Sequence, residues 1–133
     1  MRVIYLLFLM TLSVSISAQD TYKPLTETDD LIISYQILEV KKKGAMIPEV
    51  RLSVQNKSDK VLDVKAILKL NYDWETAEQY EVTDVCVNPG KTKKGKIRGL
   101  FFNPENLTMA QLNSEDVEFL IEDLKTSEIQ KCK

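Results

Sequence analysis

The sequence predicts an all-β fold: an antiparallel two-sheet sandwich of about six or seven short strands in one domain. Three observations indicate it. Apolar and polar residues alternate along several segments, turn-forming residues separate these segments, and the chain of 133 residues suits a single domain. Strands recur roughly every dozen residues, a spacing typical of two sheets packed face to face.

The clearest strand covers residues 62–72. Its apolar side chains occupy every second position, whereas a helix would scatter them around its circumference. Residues 49–55 repeat the pattern, and the turn-forming residues 56–60 stand between the two segments. We therefore expect these two strands to pair as a hairpin.

Three further segments are strand-like. Residues 31–40 change phase midway, which indicates a β-bulge or burial on both faces. Residues 79–87 and 96–102 flank the corner Asn88-Pro89-Gly90, where proline presets one turn angle and glycine accepts a positive one. This arrangement predicts a second hairpin with lysines at its tip.

The C-terminal segment is ambiguous. Apolar residues at positions 117, 120, 121 and 124 have helical spacing, whereas those at 117, 119 and 121 alternate as in a strand. A strand is favoured over a helix, because it would close the sheet and bring Cys132 to Cys86. Residues 103–113 before it form a long connection, in which a helical turn is expected.

Two stretches carry a family resemblance. VRLSVQNKSDKVLDV (50–64) and VNPGKTKKGKI (87–97) resemble the strand and turn segments of immunoglobulin- or fibronectin-like modules of bacterial exported proteins. The resemblance covers about residues 31–133 and implies an immunoglobulin-like sandwich. Trp74 precedes both cysteines, so the antibody order Cys…Trp…Cys is absent. The resemblance implies a fold and no particular activity.

The N-terminus has the layout of a cleaved secretory signal peptide over residues 1–18. Arg2 precedes an apolar run, and small residues follow up to Ala18. A membrane-spanning helix is disfavoured, because serines interrupt the run before the ~20 apolar residues that a span requires. Residues 19–30 read as a flexible lead-in and residues 31–133 as the folded domain. We expect a periplasmic or extracellular protein without a membrane span.

Cys86 and Cys132 are the two cysteines of the chain. Cys86 lies near a run of lysines, and neighbouring cations activate nucleophilic thiols. However, the chain contains no histidine, so a Cys-His pair cannot form. An even cysteine count in a small exported domain favours a disulfide, Cys86–Cys132.

Composition argues against several classes of function. The net charge of −2 does not favour nucleic-acid binding. Without histidine and with two cysteines, zinc sites and the usual hydrolytic triads are disfavoured, and the acidic pairs lack the pattern of a calcium loop. No cofactor or metal is expected. A carboxylate-based hydrolase remains a remote alternative through Glu75, Glu78, Glu81 or Asp84, but no spacing singles out a pair.

Two groups of residues are candidates for binding. Tyr72, Trp74 and Tyr80 lie in one short segment and would contact a partner if exposed, or cap the core if not. Lys93, Lys94 and Lys96 form one basic cluster and residues 41–43 another; together they would suit phosphate or sulfate groups, whereas apart they maintain solubility. We therefore predict a monomeric, non-enzymatic binding or structural module of the cell envelope with a protein partner. The alternative is a module that binds a glycan or another anionic envelope component through its basic turns.

Overall fold

A computed structural model describes residues 22–97 and 99–133. The predicted signal peptide, the start of the lead-in and position 98 lie outside the described residues. The described part contains eight strands and one short helix. These are β1 (Lys23–Glu27), β2 (Leu31–Lys42), β3 (Ala45–Asn56), β4 (Val61–Tyr72), β5 (Glu75–Val87), β6 (Thr92–Lys94), β7 (Phe101–Phe102), α1 (Met109–Leu112) and β8 (Val117–Ile129).

The strands form two antiparallel sheets, which confirms the predicted all-β sandwich. The first sheet has the order β1-β2-β3-β6, with β7 also paired to β3, and the second has the order β5-β4-β8. There are more strands than expected for two reasons. An unexpected short strand, β6, precedes the predicted strand over 96–102, of which only β7 forms. In addition, β1 lies within the lead-in that was expected to be flexible.

The core lies between the two sheets and follows the alternation in the sequence. In β4 the side chains of Leu62, Val64, Leu68 and Leu70 are buried, because they occupy the face turned towards the other sheet. An aromatic pair also links the sheets: the rings of Tyr35 and Phe119 stack with their centroids 4.3 Å apart. The register between β2 and β3 is continuous, so no bulge interrupts β2 on that side. Leu38 is half-buried, and burial on both faces of β2 therefore explains the change of phase within residues 31–40.

Both hairpins expected from the sequence are wrong. β3 and β4 belong to different sheets, and so do β5 and β6. Residues 57–60 and 88–91 therefore carry the chain from one sheet to the other. The hairpins that form are β2–β3 and β4–β5. Alternation identified the buried face of each strand, but it did not specify which strand would lie beside it.

The C-terminal segment is a strand, as favoured. β8 pairs with β4 along its length, and the register shifts at a bulge where Asp123 has a φ of 50°. The bulge explains why Ile121 and Leu124, three positions apart, both pack against the core. The expected helical turn is α1. Beyond β8, Cys132 forms a disulfide with Cys86 of β5, with their Cα atoms 5.6 Å apart.

Candidate functional site

The β4–β5 turn presents Trp74 to solvent. Tyr72 pairs with Glu75, so Asp73 and Trp74 are the two residues of the turn, with φ angles of 51° and 69°. Two positive φ angles in a two-residue hairpin connection are the backbone of a type I′ turn. This backbone holds Trp74 at the tip, where 97% of its surface is exposed.

The other two aromatic candidates are part of the packing. Tyr72 is half-buried against the core. Tyr80 stacks on Phe102 with ring centroids 4.6 Å apart, and its hydroxyl donates to Glu78 Oε2 at 3.1 Å. Burial and then the Glu78 carboxylate raise the pKa of Tyr80 well above its usual value. Of these three candidates, only Trp74 is free to contact a partner.

Carboxylates surround the turn. A cleft of about 210 Å³ beside Trp74 is lined by Asp73 from the turn. Acidic residues from the α1–β8 connection and the start of β8 line it as well. These acidic residues are Glu115, Asp116 and Glu118. None of the four carboxylates forms a salt bridge with a residue in 22–97 or 99–133. We call Trp74 and these four residues the acidic tip.

The structure separates the lysines of the second basic cluster. Lys93 and Lys94 are consecutive in β6 and face opposite sides of the sheet; Lys94 lies over the ring of Tyr22, 5.6 Å from its centroid. Lys96 instead lies at the same surface depression as Lys42 of the first cluster. Both lysines line a cavity of about 270 Å³ on the outer face of the first sheet.

An ionic network around the buried Glu49 of β3 underlies this cavity and was not identified from the sequence. Glu49 is 4% exposed. Its carboxylate accepts from Arg51 Nε at 2.6 Å and lies 3.6 Å from Lys42 Nζ. In the sequence, Glu49 and Arg51 alternate with buried residues and therefore read as a solvated strand face. The segment that covers them lies 44 or more positions further along the chain, and the local pattern does not indicate it. We call Lys42, Glu49, Arg51, Lys96 and Phe101 the cationic cavity.

Two of the four carboxylates considered for hydrolysis have structural surroundings that the described residues define. Glu78 stabilises a loop of the fold, because its Oε1 accepts from the backbone N–H groups of Glu105 and Asn106 at 2.8 and 2.7 Å. Asp84 occupies a bulge of β5 with a φ of 56°. Within the described ranges, no group of three or more metal-ligating side chains lies close enough to hold an ion.

Comparison with protein-family models, curated proteins and solved structures found no match. Among the residues that the structure describes, no helix is long and apolar enough to cross a membrane.

Proposed function

We propose that this chain is an exported, non-enzymatic interaction module that binds a protein partner through the acidic tip. Export is supported by the predicted signal peptide together with the disulfide, which persists in oxidising compartments. The exposure of Trp74 on a two-residue turn carries the proposal. Rigid aromatic side chains of this kind dominate the binding energy of many protein interfaces.

The backbone of the turn makes the presence of tryptophan informative. Type I′ turns favour asparagine, aspartate and glycine, because their central residues need positive φ. Asp73 meets this preference, whereas Trp74, with a φ of 69°, does not. A bulky L-residue in the left-handed region costs about 1–2 kcal/mol. At 97% exposure the indole buries almost no surface within the domain, and backbone strain of this kind clusters at functional sites.

The charge around the ring supports a protein partner over a membrane surface. Asp73, Glu115, Asp116 and Glu118 would be repelled by the anionic lipids that attract basic segments. A partner with an apolar pocket and a basic rim would complement both the ring and the carboxylates. Association with such a partner would weaken as salt concentration rises.

The test uses affinity capture from the envelope fraction of the source cell, followed by titration with the purified partner. We expect Trp74→Ala to lose the partner while Ile97→Ala retains it. Ile97 is a suitable control because it is another exposed large apolar side chain, away from the turn. Trp74 is the single tryptophan of the chain, so its emission should shift to shorter wavelength on binding. Equal affinity of wild type and Trp74→Ala for every captured protein would refute the proposal.

A further inference from the structure

We infer that the cationic cavity is a second binding site, for a phosphate or sulfate group. It is formed by side chains from β2, β3 and the β6–β7 connection on the outer face of the first sheet. This site is separate from the acidic tip in both residues and charge. The inference therefore stands independently of the proposed protein partner.

Arg51 is the base of the site. Its side chain is 20% exposed, and its Nε donates to Glu49 Oε2. A guanidinium has five N–H donors, and this is the one hydrogen bond that Arg51 side-chain nitrogens make to residues in 22–97 or 99–133. The terminal nitrogens thus retain donors for a ligand. A guanidinium held in place by a carboxylate suits phosphate and sulfate oxygens, because its donors are fixed in one plane.

Gly95 brings the covering segment close to Arg51. A Cβ atom at position 95 would collide with the aliphatic part of the Arg51 side chain, so the chain can cross there only with glycine. The next residue, Lys96, is thereby held at the rim of the cavity. Its side chain forms no salt bridge with a described residue.

Lys42 is also held at the rim. Its Nζ donates to Asn103 Oδ1 at 2.6 Å and lies 5.3 Å from the centroid of the Phe101 ring. These contacts fix the position of the ammonium group, and 42% of the side chain remains exposed to solvent. A positioned cation loses less conformational entropy on binding than a free surface lysine does.

The charges of the cavity do not balance. Glu49 is the one carboxylate among the lining residues, and it faces the three cations Lys42, Arg51 and Lys96. It orients Arg51 and Lys42 without neutralising all three. The volume of about 270 Å³ is well above the ~30 Å³ that one water molecule occupies. Excess positive charge at such an open depression favours an anion.

The test is a titration of the isotope-labelled protein with inorganic phosphate, in which the NMR chemical shifts of the Gly95 and Lys96 amides are monitored. We expect both to shift saturably, and an equal ionic strength of sodium chloride not to reproduce the shifts. Lys96→Gln should weaken binding roughly two- to five-fold, and Lys96→Glu should weaken it further. Lys65→Gln is the matched control. It removes the same charge from an exposed position on the other sheet and should leave the affinity unchanged.

Two further titrations identify the source of the group. A phosphorylated monosaccharide represents a soluble or glycan phosphate, and vesicles of phosphatidylcholine with phosphatidic acid represent a lipid headgroup. If the protein binds the phosphorylated monosaccharide or the vesicles, and Lys96→Glu weakens that binding, the site is supported and the source of the phosphate group is identified. The inference is overturned if phosphate leaves Gly95 and Lys96 unshifted, or if Lys65→Gln weakens binding as much as Lys96→Gln does.

Discussion

The side-chain amide of Asn56 donates to the backbone carbonyl of Val87 at 2.9 Å and so joins the two sheets at one end of the sandwich. Asn56 is the last residue of β3 in the first sheet, and Val87 is the last residue of β5 in the second. The same amide donates to Lys60 O at 2.7 Å, and its Oδ1 accepts from Ser58 N and Oγ. Asn56 is 0% exposed, and its bond to Val87 O is buried between the sheets.

Replacement of Asn56 by alanine should strongly destabilise the domain. It would leave the buried carbonyl of Val87 without its side-chain donor, and a buried unsatisfied polar group costs about 1–3 kcal/mol. The carbonyl of Lys60 keeps a second donor, the Ser58 hydroxyl. We expect the free energy of unfolding to fall by about 3 kcal/mol in denaturant titrations. Ser58→Ala, which removes one hydroxyl from the same turn, should cost about 1 kcal/mol. Equal losses for the two variants would contradict this account of the corner.

The disulfide should contribute a comparable share of the stability. It closes a loop with a sequence separation of 46 residues, for which the chain-entropy model gives about 4 kcal/mol. We expect the Cys86→Ala, Cys132→Ala double variant to unfold at a correspondingly lower denaturant concentration, and reduced wild type to behave in the same way. Intact mass after alkylation checks the bond itself: labelling of both thiols without reductant would disprove it.

The layers of this fold were predictable from sequence, whereas the neighbours of each strand were not. The alternation around Leu68 identifies a strand and its buried face, because that pattern depends only on local geometry. Which strands pair depends on whether the connection after each strand returns to the same sheet or crosses to the other sheet. Asn56 reads as an ordinary turn residue, yet its buried amide bonds to the other sheet. A residue that can end a hairpin or bridge two sheets does not show which it does until the chain is folded.

The candidate sites divide in the same way. Trp74 could be singled out because it is an aromatic residue in a short polar segment between strands, and it is the exposed one. The sequence did not distinguish it from Tyr80, whose stacking on Phe102 is a long-range contact. Arg51 was missed altogether, because its burial depends on coverage by Gly95. Features set by non-local packing carry no local pattern.

The strain at Trp74 gives a prediction that separates the ring from the backbone. Glycine accepts the φ of 69° without a steric penalty. After the entropy that glycine adds to the unfolded chain is subtracted, Trp74→Gly should raise the free energy of unfolding by about 0.5–1 kcal/mol. Trp74→Ala keeps the left-handed penalty and should change it by less than about 0.5 kcal/mol. If Trp74→Gly were destabilising in denaturant titrations, the indole would stabilise the fold and its exposure would need another explanation.

Tyr80 makes the stability depend on alkaline pH. Its hydroxyl donates to Glu78 Oε2 at 3.1 Å, and burial together with that carboxylate raises its pKa above the ordinary value of 10.0. In the unfolded chain the phenol deprotonates near its ordinary pKa, while in the folded protein it keeps its proton. Above about pH 10 the unfolded state therefore binds fewer protons than the native state does, and the free energy of unfolding falls as pH rises. The contribution is fully present below that pH.

Tyr80→Phe should therefore change the shape of the stability profile as well as its height. At neutral pH the variant loses the hydrogen bond to Glu78 and should be about 1 kcal/mol less stable than wild type. Above about pH 10 the wild type is destabilised through Tyr80 and the variant is not, so the two free energies of unfolding should converge. Denaturant titrations from neutral pH to about pH 11 measure this gap. Trp74→Ala serves as the control and should follow the wild-type profile, because its side chain does not contact Tyr80. A gap between Tyr80→Phe and wild type that stays constant over the whole range would mean that the phenol ionises alike in the folded and unfolded chains.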